Sequence, residues 1–495
     1  MQPAAVPQAA QAPPAASYPA AVAAPAAAAA PAAAAPAAAA SAACPAEALP
    51  VVLVTGGTGL LGNALKRRLL LRQNHCSSSN SSSNSSRNGS SNGSKSDWDK
   101  ERCSAVVGGE VVEAAGRRFV FVGSQEADLR CAAATESLFA RYQPAALLHL
   151  AARVGGLFSN IEHNLKFLED NLRLNDNVVR TAHKHRVKTA VFCLSTCVFP
   201  AAGTFDGQPM TEEFLHSGPP HASNEGYAHA KRILEVTARL HAQQFGYAWR
   251  CVCPTNLYGP HDNFSLADGH VLPALVHKAF LAQQRGGTLT AAGSGKPLRQ
   301  FLYSEDCAEI LLRLLLLPDS TPLLFCNYAA ALPPTPPLLP LLPAAAAALH
   351  SRTAAASDAA ATTTCSAAQQ HGYGDASAPE GEAAAAAAAA GRQRPPPRQQ
   401  EEQGGVPFLL ILAADGPDSE VSIRDLAMRI AEEFGVQDRV QFDATKPDGV
   451  YKKTVSTARL RKFLGGNFSF TSLSQGIHET CEWFKENSNR NALRR

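Results

Sequence analysis

Short apolar runs alternate with helical patterns along most of the chain. The first run, Val51–Thr55, is rich in β-branched residues and predicts a buried parallel strand. Further runs predict three more strands of this kind, at Arg118–Gly123, Leu147–Leu150 and Val191–Leu194. Apolar residues recur with helical spacing at Asn63–Gln73, Asn164–His183 and Ser422–Phe434. This alternation predicts an α/β fold with a parallel sheet.

Three tracts of low complexity interrupt this pattern. Residues 1–49 are almost wholly Ala and Pro, residues 75–100 are mainly Ser and Asn, and residues 332–406 return to Ala, Pro, Gln and Gly. Such tracts bury too little apolar area to offset the conformational entropy that ordering removes. We therefore expect a disordered tail and two surface loops around a folded part of roughly 345 residues, which is enough for a sizeable core.

The composition argues against several classes of protein. The 45 Lys and Arg residues nearly balance 42 Asp and Glu residues, so the formal net charge of +3 does not suit a nucleic-acid binder. No apolar run approaches the ~20 strongly apolar residues that cross a bilayer. Residues 1–49 contain no Lys or Arg, so they fit neither a secretory signal nor a transit peptide. The 12 cysteines show no zinc-site spacing. We expect a cytoplasmic protein without a metal, a membrane or a nucleic-acid partner.

A glycine-rich loop lies between the first predicted strand and the first predicted helix. It consists of Gly56, Gly57, Thr58, Gly59, Leu60, Leu61 and Gly62, and its glycines fit both GxGxxG and GxxGxxG. In this context glycines allow a tight turn, and the helix N-terminus faces the pyrophosphate of a dinucleotide. The alternative is a glycine turn in an α/β protein that binds no nucleotide. The flanking strand and helix favour the cofactor site.

The cofactor is predicted to be NADP(H) rather than NAD. NAD-specific sites usually place an acid at the end of the second strand, where it bonds the ribose hydroxyls. That strand continues here into Ser124-Gln125-Glu126, so no acid stands directly at its end. We expect Asp128 and Leu129 to pass the adenine, and the small residues Ala151 and Ala152 to leave room for the cofactor.

A candidate catalytic set follows the fourth predicted strand. Ser195 stands at its end, and Tyr227 and Lys231 form a Tyr-x-x-x-Lys pattern on a predicted helix. Residues four apart share one helix face, so the ammonium can lie near the phenol. A free tyrosine has a pKa near ~10, and a cation beside it is expected to lower that value and aid proton exchange. The pair alone often occurs by chance on exposed helix faces, whereas its combination with the serine and the glycine loop predicts catalysis on a carbonyl group.

Six longer strings carry a resemblance to the extended short-chain dehydrogenase/reductase family. Within it, the chain is similar to the enzymes that convert GDP-4-keto-6-deoxy-D-mannose to GDP-L-fucose by 3,5-epimerisation and 4-keto reduction. The strings are His149–Asn160, Cys193–Pro200, Gly218–His221, Pro254–Phe264, Asp268–Pro273 and Lys446–Gly449, and they run through nearly all of the non-repetitive chain. The resemblance implies a multifunctional oxidoreductase and isomerase.

The resemblance assigns roles to particular residues. Tyr227 would supply the proton and Lys231 would hold the nicotinamide ribose while Ser195 bonds the carbonyl oxygen. Cys197 and His270 would act as acid and base in the epimerisations, with the division between them left open. A thiolate near a cation is a competent base, and histidine exchanges protons near neutral pH. Further cofactor contacts are implied for Pro254, Asn256, Leu257 and His270.

The resemblance also implies a substrate site. Its residues would be Ser195, Asn256, His270, Lys278, Arg299 and Asp448. Arg299 matches an arginine that binds the diphosphate, a role that suits a guanidinium. Ala292 stands where relatives often carry an aromatic residue, so one ring-stacking contact is absent.

The resemblance completes the expected architecture. It implies a Rossmann-type doubly wound parallel sheet with a smaller C-terminal α/β substrate-binding lobe. We expect an NADP-binding domain over residues 50–255 and a mainly substrate-binding lobe over residues 256–490, part of which returns to the sheet. A homodimer through two helices near the Tyr/Lys segment is also implied. The alternatives are another nucleotide-sugar epimerase or dehydratase of this family with retained NAD, and a non-catalytic NADP-binding regulator.

Overall fold

The main sheet contains eight strands, in the order β13-β7-β6-β5-β1-β4-β3-β2. They are β1 Val51–Thr55, β2 Ala105–Val106, β3 Gly109–Ala114, β4 Arg117–Val122, β5 Ala146–His149, β6 Thr189–Cys193, β7 Ala248–Pro254 and β13 Leu409–Leu412. Six of these strands run parallel, and β2 and β3 are antiparallel at one edge. The predicted parallel sheet is therefore confirmed.

The computed structural model describes residues 49–78, 105–106, 109–201, 209–328, 405–416 and 418–488. The predicted tail at residues 1–49 and the predicted loops at residues 75–100 and 332–406 lie almost entirely outside the described residues. Those three expectations remain predictions.

Helices cover both faces of the main sheet. They are α1 Leu60–Ser78, α2 Ala132–Tyr142, α3 Leu157–Glu162, α4 Asn164–Lys184, α5 Glu225–Phe245, α7 Ser304–Leu315 and α9 Ala458–Leu464. Apolar residues of α2, α4 and α5 pack in one core cluster with the sheet. Those of α1, α7 and α9 pack in a second cluster on the opposite face. This is the doubly wound arrangement that the resemblance implied.

A smaller α/β part has its own core. Its elements are β8 Asn256–Tyr258, α6 Val271–Arg285, β9 Leu289–Ala292, β10 Leu298–Tyr303, β14 Glu420–Ser422, α8 Ile423–Glu433, β15 Val440–Asp443 and α10 Leu473–Ser488. Strands β14, β10 and β8 form one small sheet and β15 and β9 another, while β11 Leu323–Leu324 pairs with β12 Val406–Pro407. Tyr258, Phe301 and Phe484 lie in the third apolar cluster.

The order of the strands determines where a ligand can bind. β1 pairs with β4 on one side and with β5 on the other, and all three run parallel. The connections after their carboxyl ends therefore diverge and leave a crevice, which is the usual ligand site in an open α/β sheet. The glycine loop follows β1 directly, so it borders this crevice.

One element differs from the sequence-based expectation. β4 forms an antiparallel hairpin with β3, and the turn residues Ala115 and Gly116 have φ values of 51° and 68°. Positive φ at both turn residues gives the twist that a two-residue hairpin requires. The other predicted elements occur with boundaries shifted by a few residues. Among the described residues, no helix combines the length and apolar character needed to cross a membrane.

Candidate active site

The glycine loop forms one wall of a cavity of about 600 Å³. Gly56 has a φ of +71°, and a Cβ there would lie 2.7 Å from the backbone nitrogen of Ala151. A Cβ at Gly62 would lie 2.3 Å from the carbonyl oxygen of Gly57, so the helix can start close to the loop only without a side chain. Gly56 lines the cavity together with Thr58, Gly59, Leu60 and Leu61, whereas Gly57 and Gly62 are buried behind it.

The end of β4 presents no carboxylate to the cavity. Gly123 and Ser124 line the cavity at this point. Glu126, the nearest acid, accepts a hydrogen bond from the Tyr142 hydroxyl at 2.6 Å and pairs with Arg141 at 3.6 Å. Glu126 is absent from the cavity lining, so its carboxylate does not face a ribose 2′-phosphate bound there.

The other predicted cofactor residues converge on the same cavity. Its lining includes Asp128, Leu129, Ala151, Ala152, Pro254, Asn256, Leu257, Tyr227, Lys231 and His270. They follow β4 and β5, end β7, lie in β8 and on α5, and cap the N-terminus of α6, so the fold brings together residues that are far apart in sequence. A glycine cradle, a helix N-terminus and an acid-free strand end fit a dinucleotide that carries a 2′-phosphate.

Ser195, Tyr227 and Lys231 all line this cavity. The Lys231 ammonium donates a hydrogen bond to the Cys193 carbonyl at 2.6 Å and lies 5.8 Å from the centroid of the Tyr227 ring. The lysine is 1% exposed. Its position is therefore fixed by β6, against which α5 packs.

The expectation that Lys231 lowers the pKa of Tyr227 is not met in this structure. Burial raises the pKa of the Tyr227 phenol well above its usual value, and the neighbouring cysteines Cys197, Cys193 and Cys253 add to that effect. Burial likewise lowers the pKa of Lys231. The low dielectric of the site disfavours both charged forms, so the proton stays on the phenol.

Cys197 lies on a 3₁₀ turn, Thr196–Val198, directly after Ser195. Its backbone N–H donates to the Ser195 hydroxyl oxygen at 3.4 Å, and its side chain is buried. Burial raises the pKa of the thiol, while Lys453, Ser195 and other neighbours oppose that effect. Cys197 is absent from the cavity lining, unlike Ser195.

Lys453 is a site residue that the sequence analysis missed. It follows the Lys446–Gly449 string and lies near enough to Cys197 for its charge to favour the thiolate. Burial lowers its own pKa, and the cysteines Cys197 and Cys253 partly offset this. The signal in the sequence was that Lys453 lies close to the Lys446–Gly449 string. Nothing in the spacing of the residues linked it to Cys197.

His270 stands at the N-terminus of α6 and lines the cavity. Its side chain is open to the cavity, yet the surrounding walls reduce its hydration and lower its pKa. A lowered pKa keeps the imidazole neutral at pH 7, so it can accept a proton.

A second missed residue, His149, occupies the end of β5. It is fully buried, with Nδ1 2.8 Å from the Thr55 hydroxyl and Nε2 3.1 Å from the Asn175 side-chain oxygen. Burial, with a smaller contribution from the Lys231 charge, lowers the pKa of His149 to about 3. This neutral histidine joins β1, β5 and α4.

The predicted substrate-binding residues do not all line the same cavity. Asn256 and His270 line the first cavity. Lys278 lines a second cavity of about 470 Å³, where its ammonium donates to the Thr290 carbonyl at 3.0 Å. Ala292, Phe158 and Lys446 line that second cavity too.

Arg299 and Asp448 line neither of these two cavities. Arg299 donates to the Leu298 carbonyl at 2.7 Å, and burial lowers the pKa of its guanidinium. Asp448 accepts hydrogen bonds from the Ser294 backbone at 2.6 Å and the Ser294 hydroxyl at 2.7 Å. In this structure Asp448 therefore joins two loops.

The fold and the cavity define a dinucleotide-dependent enzyme of the epimerase type, and comparison with known proteins agrees. The model of the NAD dependent epimerase/dehydratase family matches residues 52–323. The chain belongs to this family.

Two relatives and one solved structure are similar to this chain over most of its length. GDP-L-fucose synthase of Dictyostelium discoideum is 35% identical over 369 residues, which cover 74% of this chain and 87% of the relative. Probable GDP-L-fucose synthase of Drosophila melanogaster is 31% identical over 443 residues, 88% of this chain and 97% of the relative. A crystal structure of a GDP-L-fucose synthetase from Naegleria fowleri bound to NADP has a TM-score of 0.59 and 31% identity. That match covers 90% of this chain and 95% of the other.

Proposed function

We propose that the chain is an NADP-dependent GDP-L-fucose synthase, which converts GDP-4-keto-6-deoxy-D-mannose to GDP-L-fucose by 3,5-epimerisation and 4-keto reduction. The observation that carries the proposal is that the glycine loop, Ser195, Tyr227, Lys231 and His270 line a single cavity. The similarity to the two GDP-L-fucose synthases named above extends over 74% and 88% of this chain.

Reduction uses the residues at the end of β6 and on α5. When bound, NADPH supplies the hydride for C4. Tyr227, whose raised pKa keeps its proton in place, donates that proton to the C4 oxygen. Ser195 hydrogen-bonds the same oxygen. Lys231, held by the Cys193 carbonyl, orients the cofactor ribose and presents a positive charge below the phenol.

Epimerisation requires a base and an acid near C3 and C5. Both carbons adjoin the C4 carbonyl, so loss of either proton gives an enolate that Ser195 and Tyr227 can stabilise as hydrogen-bond donors. Cys197 and His270 serve as the proton-transfer pair, one removing a proton and the other returning one to the opposite face. Lys453 helps the thiol ionise, since its positive charge counters the effect of burial.

The rest of the substrate lies toward the smaller α/β part. Asn256 positions the sugar, and Arg299 and Lys278 attract the diphosphate through their charge. Asp448 contributes by holding its loop in position, because its carboxylate accepts hydrogen bonds from Ser294. Residues 50–255 form the NADP-binding domain and residues 256–490 mainly the substrate-binding lobe. β13 comes from the later segment yet pairs with β7 in the main sheet, which supports the prediction that part of this segment returns to that sheet.

The protein is a cytoplasmic homodimer in this proposal. Eight cysteines in the described part of the chain are free thiols, which suits a reducing compartment. The packed helices α4 and α5 expose Leu165, Ile233 and Leu240, which supports a dimer formed through these two helices.

The test is a coupled assay with purified protein, GDP-4-keto-6-deoxy-D-mannose and NADPH, in which NADPH absorbance and the sugar product are followed. We expect GDP-L-fucose from the wild type. Tyr227→Phe should slow NADPH consumption by about 10²–10⁴-fold, because it removes the proton donor, and Cys197→Ser should slow formation of epimerised product by a similar factor. Tyr247→Phe is the matched control, since its hydroxyl contacts His183 and does not line the cavity.

Each contrary outcome rejects a different part of the proposal. NADPH loss with an unepimerised product would keep the reductase and reject the roles of Cys197 and His270. Normal consumption by Tyr227→Phe would reject the proton donor. No consumption with NADPH binding intact would indicate another nucleotide sugar or a non-catalytic regulator.

A further inference from the structure

Two buried cysteines, Cys197 and Cys253, lie near the ends of the adjacent strands β6 and β7. These strands run parallel, and their register pairs Cys193 with Val252. The Leu194 backbone N–H then donates to the Val252 carbonyl at 2.7 Å, so Leu194 lies beside Cys253. Neighbouring strands are about 4.8 Å apart, which places Cys253 close to the chain that continues from β6 into the proposed catalytic site.

The turn that carries Cys197 packs on the same face of the sheet as Cys253. It begins at Ser195, and the Val198 backbone N–H donates to the Ser195 carbonyl at 3.1 Å. Val198, Leu194 and Cys253 belong to one apolar cluster. Cys197 directly precedes Val198 in this turn, so the turn holds Cys197 against the end of β7.

Electrostatic interactions between the two thiols support this arrangement. Burial raises the pKa of Cys253 well above its usual value, and the neighbouring Cys197 adds to that effect. The positive charge of Lys453 acts on both thiols and favours their ionisation. Lys231 and Arg232 also favour the Cys197 thiolate, so Cys197 is the thiol that ionises first.

Cys197 is also the thiol that lies beside the first cavity. Its backbone N–H donates to the Ser195 hydroxyl oxygen at 3.4 Å, and Ser195 lines that cavity. In the proposed function a carbon of the sugar approaches the Cys197 thiol, and hydrogen peroxide is much smaller than the sugar. Cys253 is fully buried, so an oxidant meets Cys197 before it meets Cys253.

We propose that Cys197 and Cys253 form a reversible disulfide when hydrogen peroxide oxidises Cys197, an inference that rests on the reactive thiol of the proposed function. The Cys197 thiolate attacks one peroxide oxygen, the O–O bond breaks, and a sulfenic acid forms while the other oxygen leaves as water after taking up a proton. The Cys253 sulfur then attacks the sulfenic sulfur. An S–S bond forms, the S–O bond breaks, and the hydroxyl leaves as water with the Cys253 proton.

The disulfide has two consequences for the enzyme. It removes the free thiol on which the proposed epimerisation depends, so activity stops. It also protects Cys197, because a sulfenic acid that no thiol captures can proceed to sulfinic acid, which dithiothreitol does not reduce. Reduction of the disulfide restores both thiols, so this loss of activity is reversible.

Peptide mass spectrometry of the full-length protein tests the bond itself. The protein is treated with hydrogen peroxide, its remaining thiols are blocked, and it is digested without a reductant. We expect a pair of peptides joined through Cys197 and Cys253, lighter by two hydrogen atoms than the two peptides together. Formation of GDP-L-fucose should be lost in parallel and should return after treatment with dithiothreitol.

Variants of the partner cysteine separate disulfide formation from simple oxidation. In Cys253→Ala, Cys197 should proceed to sulfinic acid under excess peroxide, and dithiothreitol should not restore activity. Cys251→Ala is the matched control, since Cys251 lies two residues earlier on β7 and in the same apolar cluster. It should still form the disulfide and recover its activity. Cys253→Val, which leaves no cavity, repeats the test if the alanine variant does not fold.

The outcomes separate this inference from the proposed function. A linked Cys197–Cys253 pair in a protein that makes no GDP-L-fucose would support the disulfide and reject the proposed activity. An active protein in which peroxide links Cys197 to another cysteine, or to none, would overturn only the inference. Recovery of peroxide-treated Cys253→Ala with dithiothreitol, to the extent seen in the wild type, would overturn it as well.

Discussion

Burial, more than neighbouring charge, controls the protonation of the residues in this site. It raises the pKa of Tyr227 and Cys197 and lowers that of Lys231 and His270. Each shift favours the neutral form, as expected when a group leaves water. The phenol therefore keeps its proton at neutral pH, whereas the thiol depends on cations such as Lys453 before it can act as a base.

The buried His149 allows a prediction about stability and pH. Its pKa is about 3 in the folded protein and near 6.5 for an ordinary histidine. Between these values the unfolded chain binds one more proton than the folded protein. The stabilisation is thus complete above about pH 6.5 and is lost as the pH falls, by about 1.4 kcal/mol per pH unit.

Urea unfolding from pH 7 to pH 4 checks this prediction. His149→Gln removes the titrating group, so its free energy of unfolding should fall less steeply with decreasing pH than that of the wild type. His229→Gln serves as a control, because His229 is exposed on α5. Equal slopes for the wild type and His149→Gln would contradict the assigned burial effect.

At the scale of elements, the parts predictable from sequence were those with a local pattern. Apolar runs predicted β1 and the neighbouring strands, and the glycine spacing predicted the loop that lines the cavity. The hairpin of β3 and β4 was missed, although Ala115-Gly116 between two β-branched runs was a local signal for it.

Contacts between distant segments could not be predicted in this way. Ser294 bonds Asp448, and Lys453 acts on Cys197, only because the chain folds the later segment against earlier strands. No periodicity in the sequence reports such pairs. The resemblance named Asp448 and Cys197 as site residues but left the contacts between segments to the structure.

The junction between the glycine loop and α1 allows a second prediction. A Cβ at Gly62 would approach the Gly57 carbonyl oxygen to 2.3 Å, which is too close for any carbon. Gly62→Ala should lower the free energy of unfolding by about 1–3 kcal/mol and weaken NADPH binding, because the loop must move. Urea midpoints and fluorescence titration with NADPH measure both effects.

Gly466→Ala is the matched control for this change. Gly466 is exposed, and a Cβ there would meet nothing within 4 Å. An unaltered midpoint and NADPH affinity in Gly62→Ala would show that the loop and helix tolerate a methyl group, contrary to the close packing described.

At the scale of the whole molecule, the proposed homodimer forms through α4 and α5. Leu165, Ile233 and Leu240, which this interface would cover, are absent from the lining of the first cavity, so dimer formation should affect stability more than chemistry. The exposed fractions of Leu165, Ile233 and Leu240 on α4 and α5 are 68%, 54% and 51%. A two-fold interface that covers these side chains would remove apolar area from water on both subunits.

Leu240→Asp tests this interface, because it would place a carboxylate in the apolar contact. We expect the dimer dissociation constant to rise at least ~30-fold, which corresponds to about 2 kcal/mol for an important interface residue. Leu71→Asp is the control, since Leu71 is also exposed but lies on α1. Sedimentation equilibrium measures the mass of each variant, and a monomeric wild type or a fully dimeric Leu240→Asp would contradict the proposed interface. A monomeric variant that still binds NADPH would show that the interface and the site are separable.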